Sequence, residues 1–134
     1  MTVPLAMKRF ARNQISTLSD GLAADLHSAS EKMDVEGVHR IRVSIRRFTQ
    51  SLEVFEQYMP RRASKKTRKQ LRQIMRLSSK VRDLDVAVHY LERHRAPSGD
   101  LEDRRVQARE DLAEALKDSV QSGKWRSRLK LESI

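Results

Sequence analysis

The chain contains no cysteine. Disulfide frameworks and thiolate metal sites are therefore excluded, and the absence fits a reducing, cytoplasmic setting. Only four glycines and three prolines occur in 134 residues, and aromatics make up 4%. So few chain breakers leave little room for a turn-rich β architecture, and the abundance of strong helix formers predicts an all-α protein. No β-alternation of useful length is present. Nowhere do 18 apolar residues run together, and the segment MTVPLAMKRFARN carries no apolar core of signal-peptide length, so a soluble protein is expected. The most informative scarcity is of acids. Residues 36–82 hold 14 basic side chains against only Glu36, Glu53 and Glu56, a local net charge of +11 in a chain whose total is +10. Charge concentrated in this way repels itself in a compact state and points to a polyanionic partner.

Hydrophobic periodicity divides the chain into four long amphipathic helices. The first is expected over residues 4–32, with Leu5, Ile15, Leu18, Leu22 and Leu26 in its apolar stripe. Asp34 can cap a second helix over residues 35–58, in which Val38, Ile41, Ile45, Phe48, Leu52 and Phe55 step by threes and fours and Pro60 marks the break. A third is expected over residues 63–93, turning Leu71, Ile74, Leu77, Val81, Leu84, Val88 and Leu91 inward. Pro97, Ser98 and Gly99 form the clearest loop. Asp100 can then cap a fourth helix with Leu101, Val106, Ala108, Leu112, Ala115 and Leu116 on its stripe, and Gly123 separates a short segment containing Trp125, Leu129 and Leu131. Short loops between such helices predict an antiparallel four-helix bundle with a short C-terminal helix, a single domain over residues 1–134 with no internal repeat.

Chemistry-bearing residues gather on two helical faces. In the run HRIRVSIRR, residues 39–47, a helix places His39, Arg42 and Arg46 within about 60° of one another, opposite the Ile41, Ile45, Phe48 stripe. On the third helix Lys65, Lys69, Arg72 and Arg76 likewise share a face. If these helices pack as an antiparallel pair, the two cationic rails can line one groove with His39 at its end. Guanidinium forks grip phosphate oxygens through paired donors, so an arginine-rich rail suits a chain of phosphates. A basic helical face is more often only a solvated surface, but the near absence of acids over 47 residues weighs against that reading here.

His39 is a reasonable anion donor and a poor metal ligand, because Val43 stands four residues on. His89 and His94 do not face together on a helix. Asp83 and Asp85 in VRDLDV point to opposite sides and cannot chelate one ion from a regular helix, so ion pairing that orients arginines is the favoured role. No glycine-rich phosphate loop, Ser/His/Asp order or metal-ligand spacing occurs. A non-enzymatic protein without cofactor or metal is expected.

The segments VHRIRVSIRRFTQSLEVF (38–55) and LRQIMRLSSKVRDLDVAVHYL (71–91) together resemble the CHAD family, the conserved histidine α-helical domain. The resemblance rests on HxxRVxxRR from His39 to Arg47 followed by VRDLDV, with SGKWRSRL near the end less distinctive. It implies an all-helical domain that binds inorganic polyphosphate. Carried over by motif are His39, Arg42, Arg46, Arg47 and Arg82 as binding residues, with Asp83 and Asp85 as orienting ones; Lys65, Lys69, Arg72 and Arg76 are added from the charge geometry. Ser79 stands where the family often has glycine, a departure expected to matter little on a helix. Family members usually contain two four-helix halves around a basic channel, whereas this chain supplies one, which raises pairing of two chains as a homodimer that completes the channel. Two other readings stand beside this one: sequence-independent nucleic-acid binding, disfavoured by the scarcity of stacking aromatics, and a metal-dependent phosphohydrolase using Asp83 and Asp85.

Overall fold

A computed structural model describes residues 5–130. Four long helices, α1 (Leu5–Glu31), α2 (Val35–Val54), α3 (Arg61–Arg93) and α4 (Gly99–Ser122), are followed by a short α5 (Lys124–Arg128). Each long helix packs on two others, α1 on α2 and α4, and α3 on α2 and α4, so the four enclose one core in a closed ring. The all-α bundle expected from periodicity is the fold observed. Pro4, the expected start of the first helix, and Leu131 lie outside the described residues.

The inward stripes explain the ring. On α1 the buried positions Ala11, Ile15, Ser19, Leu22, Leu26 and Ala29 step by threes and fours, the spacing that keeps one helical face toward a neighbour. On α2 Val38, Ile41, Ile45, Phe48 and Leu52 do the same, and on α4 Ala108, Leu112 and Leu116 complete the fourth wall. Two expected stripe members are exposed instead, Leu5 at 78% and Val106 at 56%. Leu5 lies well over a turn before Ala11, the first buried residue of α1. Val106 sits about 200° around the helix from Ala108, and so faces outward.

Three element ends differ from expectation for physical reasons. Helix α2 stops at Val54 rather than running to Tyr58, and a single 3₁₀ turn, Glu56–Tyr58, follows. Pro60 has no N–H and its ring would meet the carbonyl four residues back, so the helix has to end early. The tighter turn lets Phe55 and Met59 both bury. Helix α3 then begins at Arg61, two residues sooner than expected, because Pro60 already has a φ of −59° and its carbonyl accepts from the Ser64 N–H at 2.9 Å. At α4 the capping position belongs to Ser98, not Asp100; Ser98 O accepts from the Glu102 N–H at 2.8 Å, and Ser98 Oγ donates to Glu102 Oε1 at 3.1 Å. Asp100 lies in the first turn, where the helix dipole favours an acid, and meets Arg104 Nε at 3.3 Å.

Asp34 does cap α2, its Oδ1 accepting from the Gly37 N–H at 2.7 Å. The fit is close: a Cβ on Gly37 would come within 3.0 Å of that same oxygen. Gly123, at φ +55°, ends α4 in the left-handed conformation that favours glycine and turns the chain back over the bundle. This turn inserts Trp125 and Leu129 into the core, where Trp125 meets Phe48 edge to face at a centroid distance of 5.4 Å.

Phe48 is thus fully buried and braced by an aromatic from the other end of the sequence. Phe48→Ala is expected to reduce unfolding free energy by about 3–5 kcal/mol, read from urea denaturation followed by circular dichroism.

Candidate anion-binding seam

Helices α2 and α3 run antiparallel, because Arg42 meets Ser78 and Ser79 whereas Arg46 and Glu53, later on α2, meet positions earlier on α3. Beneath this seam lie Ile41, Ile45, Leu71, Ile74 and Val81, all buried. The next residues around each helix cannot reach the core and line the seam instead. They are His39, Arg42 and Arg46 from α2, facing Arg68, Arg72 and Arg82 from α3.

Two hollows open along it. The first, of about 350 Å³, is lined by Val35, Glu36, Val38, His39, Arg42, Arg82, Asp85 and Val86. The second, of about 240 Å³, is lined by Ile45, Arg46, Thr49, Glu53, Arg68, Arg72 and Met75. Glu36 and Glu53 stand at opposite ends, about 25 Å apart at the helical rise. The cations lie between them.

Arg42 is partly buried in the seam. Burial is the main cause that lowers its pKa, Arg82 and then Arg46 lower it further, and Asp83 acts in the opposite sense. Its Nη1 donates to Ser78 Oγ at 3.2 Å and to Ser79 Oγ at 2.5 Å. Ser79 therefore matters more than its place on a helix suggests. Arg68 also faces the seam: it approaches Glu53 Oε1 at 3.9 Å, and its buried Nε has no hydrogen-bond partner.

The face of α3 divides between two clefts. Lys69 and Arg76, expected to share a groove with α2, instead line a hollow of about 660 Å³ between α3 and α4, together with Lys66, Gln70, Gln73, Asp118 and Ser119. Arg72 borders both clefts, so α3 forms a ridge between them. Arg47 and Lys65 are exposed and are not among the lining residues of either. Sequence reasoning left Arg68 off the rail because it stands one step around the helix, on the side where α2 packs. Ser78 and Ser79 carry no charge, and Ser79 stood out in the sequence only as a departure from the family's glycine.

The two aspartates have different situations. Asp83 is exposed and only approaches its neighbour Arg82, at 4.0 Å. Asp85 occupies a core-facing position of α3, accepts from Arg109 Nη2 of α4 at 2.8 Å and lies 3.8 Å from Arg105 Nη1. Its side chain is 9% exposed, so the carboxylate is held by α4 rather than presented to solvent.

A family model for the CHAD domain matches residues 11–133. The chain belongs to the CHAD family. No curated protein and no solved structure matches it. CHAD domains are associated with polyphosphate binding, and membership of the family fits binding of a polyanion. Among the described residues there is no group of three or more acids or histidines that could hold a metal ion, and no helix is long and apolar enough to cross a membrane.

Removing a buried ion-pair partner leaves uncompensated charge. Asp85→Ala is expected to destabilise the protein by about 3 kcal/mol, while Asp83→Ala should stay within about 0.5 kcal/mol of the parent, both measured by urea denaturation.

Proposed function

We propose that this CHAD domain binds inorganic polyphosphate along the α2–α3 seam and performs no chemistry on it. The observation that carries the reading is the group Arg42, Arg46 and Arg82 lining the seam, where burial and the two neighbouring arginines disfavour the charge of Arg42 more than Asp83 favours it. A chain of phosphates laid in the seam replaces this repulsion with charge-assisted hydrogen bonds. Arg68, whose buried Nε has no hydrogen-bond partner among the described residues, lines the same hollow as Arg46 and Arg72, and His39 stands at the end of the line.

Arg72 connects the seam to the α3–α4 cleft, where Lys66, Lys69 and Arg76 can engage phosphates that cross the ridge. The absence of chemistry is supported by the state of the carboxylates. Asp85 is already held by Arg109, and exposed Asp83 approaches Arg82 at 4.0 Å. Two chains paired about a two-fold axis would set one seam against the other and enclose the ligand.

Polyphosphate retained on the immobilised protein should be released steeply by salt, since displaced counterions drive polyanion binding. In the doubly reversed variant Arg42→Glu/Arg46→Glu, folded by circular dichroism, affinity should fall about 100-fold or more, and the slope of log affinity against log salt should drop by roughly 1.4 or more. Polyphosphate should elute at its original chain length. Undiminished binding by the folded double variant, displacement by duplex DNA at equal phosphate concentration, or metal-dependent shortening of the chain would each overturn the corresponding part of the reading.

Sedimentation equilibrium with and without long-chain polyphosphate tests the pairing. A dimer mass is expected with ligand, and a monomer under both conditions would exclude the enclosed channel.

A further inference from the structure

We propose that Ser78 and Ser79 are positioning residues that hold Arg42 by neutral acceptors, leaving both its charge and its bidentate edge available to a phosphate group. The inference rests on the polyphosphate reading of the seam and extends it to two uncharged residues. Ser78 Oγ lies 2.8 Å and Ser79 Oγ 3.0 Å from the Met75 carbonyl oxygen, which can only accept. Each hydroxyl has one hydrogen, and the Met75 carbonyl is the acceptor within reach of both; Met75 Sδ, 3.9 Å from Ser78 Oγ, is a second and weaker acceptor for Ser78.

What remains on each serine toward Arg42 is a lone pair. The two Nη1 hydrogens of the guanidinium therefore have one acceptor each, at 3.2 Å from Ser78 and 2.5 Å from Ser79. A guanidinium carries five N–H donors in a planar fork. With Nη1 occupied, Nε and Nη2 form the remaining edge, whose parallel donors match two oxygens of one phosphate. Among the described residues neither atom has a protein partner.

The choice of acceptor decides what the arginine can do. Asp85 fixes Arg109 just as firmly, at 2.8 Å, but supplies a full negative charge that cancels the guanidinium's attraction for an anion. Serine lone pairs orient without neutralising. The lowered pKa of Arg42 agrees with this arrangement, since burial and its arginine neighbours outweigh Asp83. An arginine loses considerable rotamer freedom when it is fixed at a ligand. Here the loss is taken on folding, before the ligand arrives.

The experiment is a double-mutant cycle on polyphosphate affinity, with the salt slope as a second readout. Ser78→Ala/Ser79→Ala should bind about 5- to 20-fold more weakly with an unchanged slope, because the number of cations that meet phosphate is the same. Placed in an Arg42→Ala background, the same pair should have no further effect. Ser79→Thr keeps a hydroxyl and should restore most of the affinity lost in Ser79→Ala. Ser79→Asp should lower the slope by roughly 0.7, the signature of one neutralised cation.

Full-strength binding by the serine double variant, while the parent protein binds, would overturn this proposal alone. The same loss with Arg42 present and absent would assign the effect to general structure and also overturn it. A parent protein that fails to bind polyphosphate would overturn the functional reading and this extension together.

Discussion

Cations of the same sign stand together on the α2–α3 seam because the apolar side chains beneath them bring the two helices into contact. Ile41, Ile45, Leu71, Ile74 and Val81 are all at most 2% exposed, and Phe48 on the same stripe is fully buried. Each such side chain contributes roughly 1.5–3 kcal/mol when removed from water. A pair of like charges near a protein surface costs about 1–4 kcal/mol at contact distance, and less when screened. The core therefore outweighs a few repulsive pairs. It does not remove them, and a bound polyanion relieves what remains. A ligand that bound only the folded state would raise stability by mass action.

Charge count alone misstates the capacity of this surface, because its arginines are partnered in different ways. Arg105 and Arg109 are gathered around Asp85 and act as internal struts between α3 and α4. Arg126 is bound to Asp20 and to Ser19, tying α5 to α1. Arg42 is oriented by serines, and Arg68 has only a distant approach to Glu53. Core-facing positions of α3 supply both kinds of partner. Ser78 and Asp85, one heptad apart, occupy sites in the stripe that otherwise holds Leu71, Ile74, Val81 and Val88, and each reaches an arginine on a different neighbouring helix.

The fold was legible in the sequence to the extent that one helix could be read by itself. Steps of three and four placed Ile41, Ile45, Phe48 and Leu52 in the core, and Asp34 and Pro60 marked real boundaries. Periodicity could not say which helix lies on which flank. Lys69 and Arg76 share a face with Arg72, yet α4 rather than α2 closes over their side, while Arg68 stands on the side that α2 covers. Neutral residues were harder still. Nothing in SS at 78–79 distinguishes a pair of arginine acceptors from a helix surface until α2 is docked against it, because the significance of a hydroxyl lies in what it faces. Val106 failed for the opposite reason, a hydrophobic residue read as core because it is hydrophobic, although its angle from Ala108 turns it to solvent.

The shape of the seam bears on which polyanion it suits. Packed helices stand about 8–10 Å apart, so the furrow between them is narrow. A duplex presents its phosphates on two strands and would reach mainly the rim. Single-stranded nucleic acids bind comparable grooves with help from aromatic platforms, worth about 1–3 kcal/mol for each stacked base. Neither hollow of the seam is lined by phenylalanine, tyrosine or tryptophan, and His39 is the one ring that borders it. A polymer that carries bases would have to forgo those contacts while still desolvating the bases. A polymer made only of phosphate has no such contacts to lose, which favours it as the proposed ligand.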